Sequence, residues 1–259
     1  MAKHKKQNID VKSPDLFVST ADQIGKFLSD NIKPIMALVL VALLIGVGAT
    51  SWRNYSEYKE EKAAEALFGL EKNRRDIEEK FQKELMESNK DKKQEAKTVA
   101  EKIDFTQLEP LAQKFIEFSN QNKGTVAGAT ARIDAADIYF EYEKFDLSAK
   151  TLQEYLGSVD QKHFVYSLML MQIGSSQVAM KNFDEAISSF KKVVDNEKVD
   201  FLRPEGLLKL GIAYKLKNDF ENAKSSFLEL TEKYSETEAG REAKSYLNLL
   251  KYQEQSSQG

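Results

Sequence analysis

A run of nineteen uncharged residues, PIMALVLVALLIGVGATSW at 34–52, dominates the hydrophobic pattern near the N-terminus, and Lys33 and Arg53 bound it. As an α-helix this run extends for roughly 28 Å, which is close to the bilayer's hydrocarbon thickness of about 30 Å. We therefore predict a transmembrane anchor at 34–52. A fully buried core helix and a signal peptide cleaved after Ala49 are the alternatives.

The tail at 1–33 has apolar residues at helical spacing, which predict a juxtamembrane amphipathic helix. These residues are Leu16, Phe17, Ile24, Phe27 and Leu28. The tail also contains six lysines. Because lysine in short segments favours retention in the cytoplasm, whereas large C-terminal domains translocate largely regardless of charge, we expect a cytoplasmic N-terminus and a C-terminal body outside.

Charged residues of both signs crowd 71–104, with ten acidic and ten basic residues in this stretch. Because the positive and negative charges cancel, the stretch has no net charge and does not indicate nucleic-acid binding. Apolar residues form broken helical stripes on either side of 87–95, which has none. We predict a charged helical segment or hairpin at 53–104, with a disordered insert as the alternative.

Two stretches of the C-terminal half align without gaps at a spacing of 37 residues. The matched pairs are Gly174 and Gly211, Phe183 and Phe220, Ala186 and Ala223, and Phe190 and Phe227. An earlier copy has Ala136, Tyr139, Phe145, Ser148 and Leu152 in the corresponding places, and Ala243 and Tyr246 begin a fourth. Small residues let paired helices approach, and large side chains fill the remaining space. The spacing predicts a solenoid of helix pairs.

This spacing resembles the tetratricopeptide repeat over about residues 125–250. Gln177 departs from the aromatic residue seen at Tyr139 and Tyr214, and Ser148 stands in place of alanine. Thr106 and Glu109 form a capping-box pattern, which predicts that a helix begins at Thr106, just before the repeats. The predicted fold is all-α, with one N-terminal transmembrane helix, a tetratricopeptide-repeat helical solenoid at 105–250 and a flexible tail at 251–259.

Composition removes most catalytic chemistry from consideration. The chain has no cysteine, and its only imidazoles belong to His4 and His163. Neither phosphate-binding loops nor nucleophile or metalloprotease motifs occur. A formal charge of −3 gives no overall basic footprint for nucleic acid. We therefore expect no enzyme activity, cofactor, metal or small-molecule substrate.

Repeats of this kind stack into a surface lined by the first helix of each pair, and this surface is the candidate partner-binding site. Counting along the predicted first helices nominates Ile133, Asp137, Phe140, Met171, Ser175, Val178, Leu208, Ile212, Lys215 and Leu216. The mainly apolar character of this set favours an extended or greasy polypeptide segment as the partner.

Four segments together resemble the ancillary Sec translocon subunit family: FLSDNIKP before the apolar run, WRNY after it, EKAAEALF, and LAQKFIEFSNQNKGTVAGATARIDAADIYF at 111–140. That resemblance implies a bacterial inner-membrane protein with a single anchor. It also implies a periplasmic repeat domain that binds Sec translocon subunits and periplasmic chaperones or secreted chains. The charged stretch at 71–104 departs from the family pattern.

Two other functions stay open at the level of sequence. A cell-envelope or cell-division scaffold would use the same repeat surface. A soluble cytoplasmic adaptor would arise if the chain were processed after Ala49.

Overall fold

The computed structural model describes residues 16–90 and 103–256, and the described part of the chain is helical. The chain forms two compact units, Met1–Tyr58 and Lys59–Gly259. Its helices are α1 Leu16–Asp30, α2 Ile32–Lys90, α3 Phe105–Gln121, α4 Val126–Glu141, α5 Phe145–Leu156, α6 Phe164–Ala179, α7 Phe183–Val194, α8 Arg203–Leu216, α9 Phe220–Lys233 and α10 Glu238–Ser256. A short 3₁₀ helix, Glu197–Leu202, precedes α8.

The first unit contains α1 and the beginning of α2. α1 covers the part of the tail predicted to be an amphipathic helix; residues 1–15 lie outside the described residues. Within the described ranges, α2 is the one helix long and apolar enough to cross a membrane, by length and composition. The apolar run at 34–52 falls in this helix, and its side chains are almost all exposed.

In the second unit, α2 packs against α3 and α4 through one face. Ala63 and Leu67 are buried on this face, and the side chains of Leu70, Ile77 and Phe81 are partly buried. Their spacing of three and four residues places them along one stripe of the helix. The solenoid's first hydrophobic cluster therefore begins at α2, earlier than the predicted boundary at residue 105.

Hydrogen bonds fix the direction of α2 relative to α4. The Glu60 carboxylate accepts hydrogen bonds from the backbone N–H groups of Val126, at 2.8 Å, and Ala127, at 2.9 Å. Further along both helices, the Arg74 guanidinium donates to the Glu141 carboxylate at 2.8 and 2.9 Å. The two helices therefore run parallel, as first helices of successive pairs do in a solenoid.

α3 begins two residues earlier than the predicted capping box requires. Asp104 is the N-cap, and its carboxylate accepts a hydrogen bond from the Thr106 backbone N–H at 3.0 Å. Asp104 and Thr106 are both good capping residues, and the aspartate takes the role here. The prediction that Thr106 caps this helix was therefore wrong.

The remaining helices form the predicted pairs α4–α5, α6–α7 and α8–α9, with α10 as a last, unpaired first helix. Each cluster of buried side chains joins neighbouring helices, so the core runs along the stack. α10 continues to Ser256, well into the segment predicted as a flexible tail, with Leu250 buried. Of the predicted charged hairpin, 91–102 lies outside the described residues.

Candidate protein-binding groove

The first helices of successive pairs form one layer of the stack. α4 contacts α6, α6 contacts α8, and α8 contacts α10. We call the solvent-facing side of this layer, contributed by α2 from Lys59 onward, α4, α6, α8 and α10, the first-helix face. In solenoids of paired helices, such a layer lines the surface used for binding.

Repeated turns hold each first helix at the same angle to its partner. Glu143, Lys181 and Asn218 have φ values of 59°, 63° and 67°, and each lies seven residues after the small residue of its repeat. The next backbone N–H then bonds the carbonyl five residues earlier, as in the Lys144–Tyr139 bond of 2.8 Å. This Schellman geometry ends the helix and directs the chain into the second helix of the pair.

Small residues and aromatic rings determine how closely the two helices of a pair approach. A Cβ atom built on Gly174 would lie 2.5 Å from the Phe190 ring, and one on Gly211 would lie 2.5 Å from the Phe227 ring. Phe190 and Phe227 are buried in these contacts. The two aromatics therefore fill the space within their own pair, and Phe227 also stacks on Tyr246 of the following helix.

Eight of the ten nominated partner-binding residues reach solvent. Seven are half-buried, namely Ile133, Asp137, Phe140, Ser175, Val178, Ile212 and Lys215. Leu216 is exposed to 42%. Met171 and Leu208 are only 8% and 5% exposed, because their side chains pack in the hydrophobic clusters of the stack. These two side chains contribute to packing rather than to an accessible surface, which corrects their assignment to the groove.

Several half-buried residues of the first-helix face also pack against the core. Ile133 packs on the cluster around Tyr155, and Val178 and Ile212 pack on the cluster around Phe227. Phe140 meets the Phe145 ring edge-on, with 5.0 Å between ring centroids. Each of these side chains is held in place by the core and leaves only part of its surface for a partner.

A cation–π contact fixes the position of Lys215 at the C-terminal end of the face. Its ammonium group lies 4.9 Å from the centroid of the Tyr246 ring on α10. The Tyr246 ring in turn stacks on Phe227, with centroids 4.9 Å apart. The unpaired helix α10 therefore positions a positive charge on this part of the face.

Carboxylates collect at the other end of the face, between α2 and α4. The Arg74 guanidinium donates to Glu78 at 2.8 Å as well as to Glu141. The carboxylates of Asp134 and Asp137 also interact electrostatically with Arg74. Both aspartates are half-buried on α4, near residues of α2.

The pKa of Asp134 is raised to about 7, chiefly by burial and also by the carboxylates of Glu71 and Asp137, against the lowering effect of Arg74. Burial also raises the pKa of Asp137 to about 6, with Arg74 opposing the shift and Glu141 adding to it. One sequence signal could have indicated this cluster. Arg74 is in phase with the apolar stripe of α2, which would place its charge against a neighbouring helix.

These features define the class of the protein as a solenoid of antiparallel helix pairs whose first helices form one layer. The chain belongs to the tetratricopeptide repeat-like domain family, whose model matches residues 25–229. Among curated proteins, the comparison found no match.

Solved structures with a similar fold include a protein described as having TPR-like repeats. One is a Podosopora anserina putative kinesin light chain with nearly identical TPR-like repeats; identity is 13%, the TM-score is 0.45, and the match covers 60% of this chain and 86% of that one. Another is BtubC (BKLC) from P. vanneervenii, at 15% identity and a TM-score of 0.43, covering 56% of this chain and 58% of that one.

Proposed function

We propose that this protein is a non-enzymatic, membrane-anchored tetratricopeptide-repeat protein that binds other proteins through its first-helix face. The observation that carries the proposal is the stack of paired helices, which presents partly exposed apolar side chains on one layer. Repeat solenoids use such layers to bind polypeptides. Leu216 is the most exposed of the nominated apolar residues, and it is therefore the residue changed in the test of this face below.

The apolar run at 34–52 supports a single membrane anchor. At the end of this run and just after it, the side chains of Trp52, Tyr55 and Tyr58 are exposed to 74%, 63% and 59%. Tryptophan and tyrosine are enriched where a membrane-spanning helix leaves the bilayer. The lysines of the tail favour a cytoplasmic N-terminus, which would put the repeat domain in the periplasm of a bacterial inner-membrane protein.

The proposed role is assistance to the Sec translocon and to periplasmic chaperones in handling secreted proteins. Its support is the resemblance of FLSDNIKP, WRNY, EKAAEALF and residues 111–140 to the ancillary Sec translocon subunit family. Within the stretch at 71–104 that departs from the family pattern, residues up to Phe81 belong to the first packed helix of the stack. A cell-envelope or cell-division scaffold is the alternative role for the same face.

The test is crosslinking of the intact protein in its native membrane, followed by identification of the proteins that co-purify. Recovery of translocon subunits or periplasmic chaperones would support the proposed role, and recovery of wall or division proteins would favour the scaffold. Protease accessibility of the repeat domain, in spheroplasts and after lysis, tests the topology. Cleavage only after inner-membrane lysis would contradict a periplasmic domain.

A matched pair of variants then links partner capture to the face. Leu216→Asp changes a leucine that is 42% exposed on a first helix, and Leu228→Asp changes one that is 41% exposed on the second helix α9. The proposal predicts that capture falls with the first variant and persists with the second. Equal capture by both would exclude the first-helix face as the binding surface.

A further inference from the structure

One side of α1 is apolar and open to its surroundings. Ile24, Phe27 and Leu28 are exposed to 55%, 63% and 45%. A helix turns by about 100° per residue, so these three residues lie within an arc of about 100°. We call them the α1 stripe. The described part of the chain leaves most of this stripe uncovered.

The opposite side of α1 is polar. Lys26 and Ser29 are exposed there, and the Ser29 hydroxyl donates to the Lys26 carbonyl at 2.9 Å. The charged residues of the helix are Asp22, Lys26 and Asp30, so α1 itself has no excess of positive charge. Its affinity for another surface therefore depends on the stripe rather than on charge.

The short connection to α2 determines which surface the stripe can reach. α1 ends at Asp30, and the apolar run at 34–52 begins four residues later. Four residues rise about 6 Å in a helix and extend over at most about 14 Å. A bilayer is roughly 40–45 Å thick with a hydrocarbon core of about 30 Å, so each headgroup layer is about 5–7 Å thick. An anchor at 34–52 would therefore hold the end of α1 in or beside the headgroup layer.

The junction between α1 and α2 allows the chain to change direction. The Asn31 backbone N–H donates to the Phe27 carbonyl at 3.1 Å, and the Asn31 side-chain amide donates to the same carbonyl at 2.8 Å. Pro34 has no N–H, so it cannot donate a helical hydrogen bond to the Asp30 carbonyl. Proline is a common cause of helix kinks. α1 can therefore leave the axis of the anchor and lie along the membrane.

We propose that α1 lies in the headgroup layer of the bilayer that holds the anchor. The α1 stripe contacts the acyl chains, and Lys26 and Ser29 face water. This inference rests on the proposed membrane anchor, and it adds a lipid-binding element distinct from the first-helix face. Lipid is the occupant that the short connection keeps within reach in every copy of the protein, so even a weak contact forms.

The experiment places a single nitroxide label on the full chain, reconstituted in vesicles of phosphatidylcholine. The chain has no cysteine, so Leu28→Cys and Lys26→Cys each give one labelling site. These vesicles contain no other protein and have no net charge, so neither a protein partner nor the lysines of the tail can account for binding. Collisions of the label with oxygen, which dissolves in acyl chains, are compared with collisions with a water-soluble nickel chelate. We expect the oxygen-to-nickel ratio to be severalfold higher at position 28 than at position 26.

Matched double variants test whether the stripe causes this difference. Ile24→Ser combined with Phe27→Ser removes apolar side chains next to the label at position 28. The ratio at position 28 should then fall to that measured at position 26, because the driving force for burial is lost. The control, Gln23→Ser combined with Lys26→Ser, changes two exposed residues at the same spacing and should leave the ratio at position 28 unchanged.

The outcomes separate this inference from the proposed function, with a label at Leu44→Cys in the apolar run as the reference for the anchor. Equal nickel access at positions 26 and 28, with position 44 protected, would overturn lipid binding by α1 and leave the anchor intact. Exclusion of both oxygen and nickel at position 28 would show that protein covers the stripe, which also overturns it. Nickel access at position 44 would instead count against the anchor itself, and lipid binding by α1 would fail with it.

Discussion

The Phe190 ring occupies the space where a Cβ atom of Gly174 would lie, 2.5 Å away. Gly211 and Phe227 repeat the contact one pair later, at 2.5 Å. In the first of the three repeats, Ala136 and Leu152 occupy the corresponding positions, and both are fully buried. The volumes are complementary, because the slightly larger alanine faces the smaller leucine. This relationship sets the spacing of helices in each pair.

Gly174→Ala should therefore destabilise the repeat domain, by about 1–3 kcal/mol, because the new methyl group overlaps a buried ring. Adding Phe190→Leu should recover part of the loss by recreating the alanine–leucine pairing. Urea unfolding followed by circular dichroism measures both.

Gly69→Ala is the control. Nothing lies within 4 Å of the Cβ position of Gly69, so this substitution within a helix should be neutral or stabilise by up to about 1 kcal/mol. Similar losses at both glycines would contradict the packing account.

Glu60 caps α4 from a different helix, and its removal should loosen the beginning of α4. The Glu60→Ala variant loses the hydrogen bonds to the backbone N–H groups of Val126 and Ala127 and an anion at a helix N-terminus. We expect a loss of about 1 kcal/mol and faster hydrogen exchange at those two amides. The exposed neighbour Glu61→Ala should change neither. Unaltered exchange in Glu60→Ala would show that the cap is not formed in solution.

The buried aspartates should make stability depend on pH. Because the folded-state pKa of Asp134 is about 7, above the value of about 3.9 in an unfolded chain, the folded state binds the proton more tightly. Its contribution to stability is therefore fully present below about pH 4 and is lost as the pH rises through about 7. Asp137, with a pKa of about 6, acts in the same direction.

Asp134→Asn should accordingly raise the free energy of unfolding at pH 8 and flatten its dependence between pH 5 and 8, an effect of about 1 kcal/mol or more. Denaturant midpoints measured across this range give the slope. Asp146→Asn, on the exposed first turn of α5, is the control and should leave the slope unchanged. A parallel pH profile in Asp134→Asn would contradict the burial of this carboxyl group by α2.

The turn after each first helix offers a stabilising substitution. Lys181 has φ of 63°, which costs an ordinary side chain free energy that glycine avoids. Lys181→Gly should therefore stabilise the domain by up to about 1 kcal/mol. Asn218→Gly should stabilise less, because asparagine tolerates this conformation better. Thermal unfolding compares the two, and a destabilised Lys181→Gly variant would contradict the turn geometry.

The sequence predicted the repeat stack well because its contacts are local. Gly174 and Phe190 are sixteen residues apart, and the pattern recurs at Gly211 and Phe227. A helical segment was predicted at 53–104, but its packing against the stack was not, because charged residues dilute the stripe formed by Ala63, Leu67, Leu70, Ile77 and Phe81. The carboxylate cluster was missed for a related reason, because the half-buried Asp134 interacts with Glu71 and Arg74, which lie far from it in the chain. Met171 and Leu208 show a further limit. Their repeat positions match those of groove residues, but neighbouring helices cover them.

We propose that the chain is anchored in a membrane and binds proteins through its first-helix face. The most direct measurement places a photoreactive amino acid at position 216, and separately at position 228, in the full chain in its native membrane. The account predicts crosslinks to partner proteins from position 216 on α8 and few from position 228 on α9. Crosslinks of equal yield to the same partners from both positions, or from position 228 alone, would contradict it.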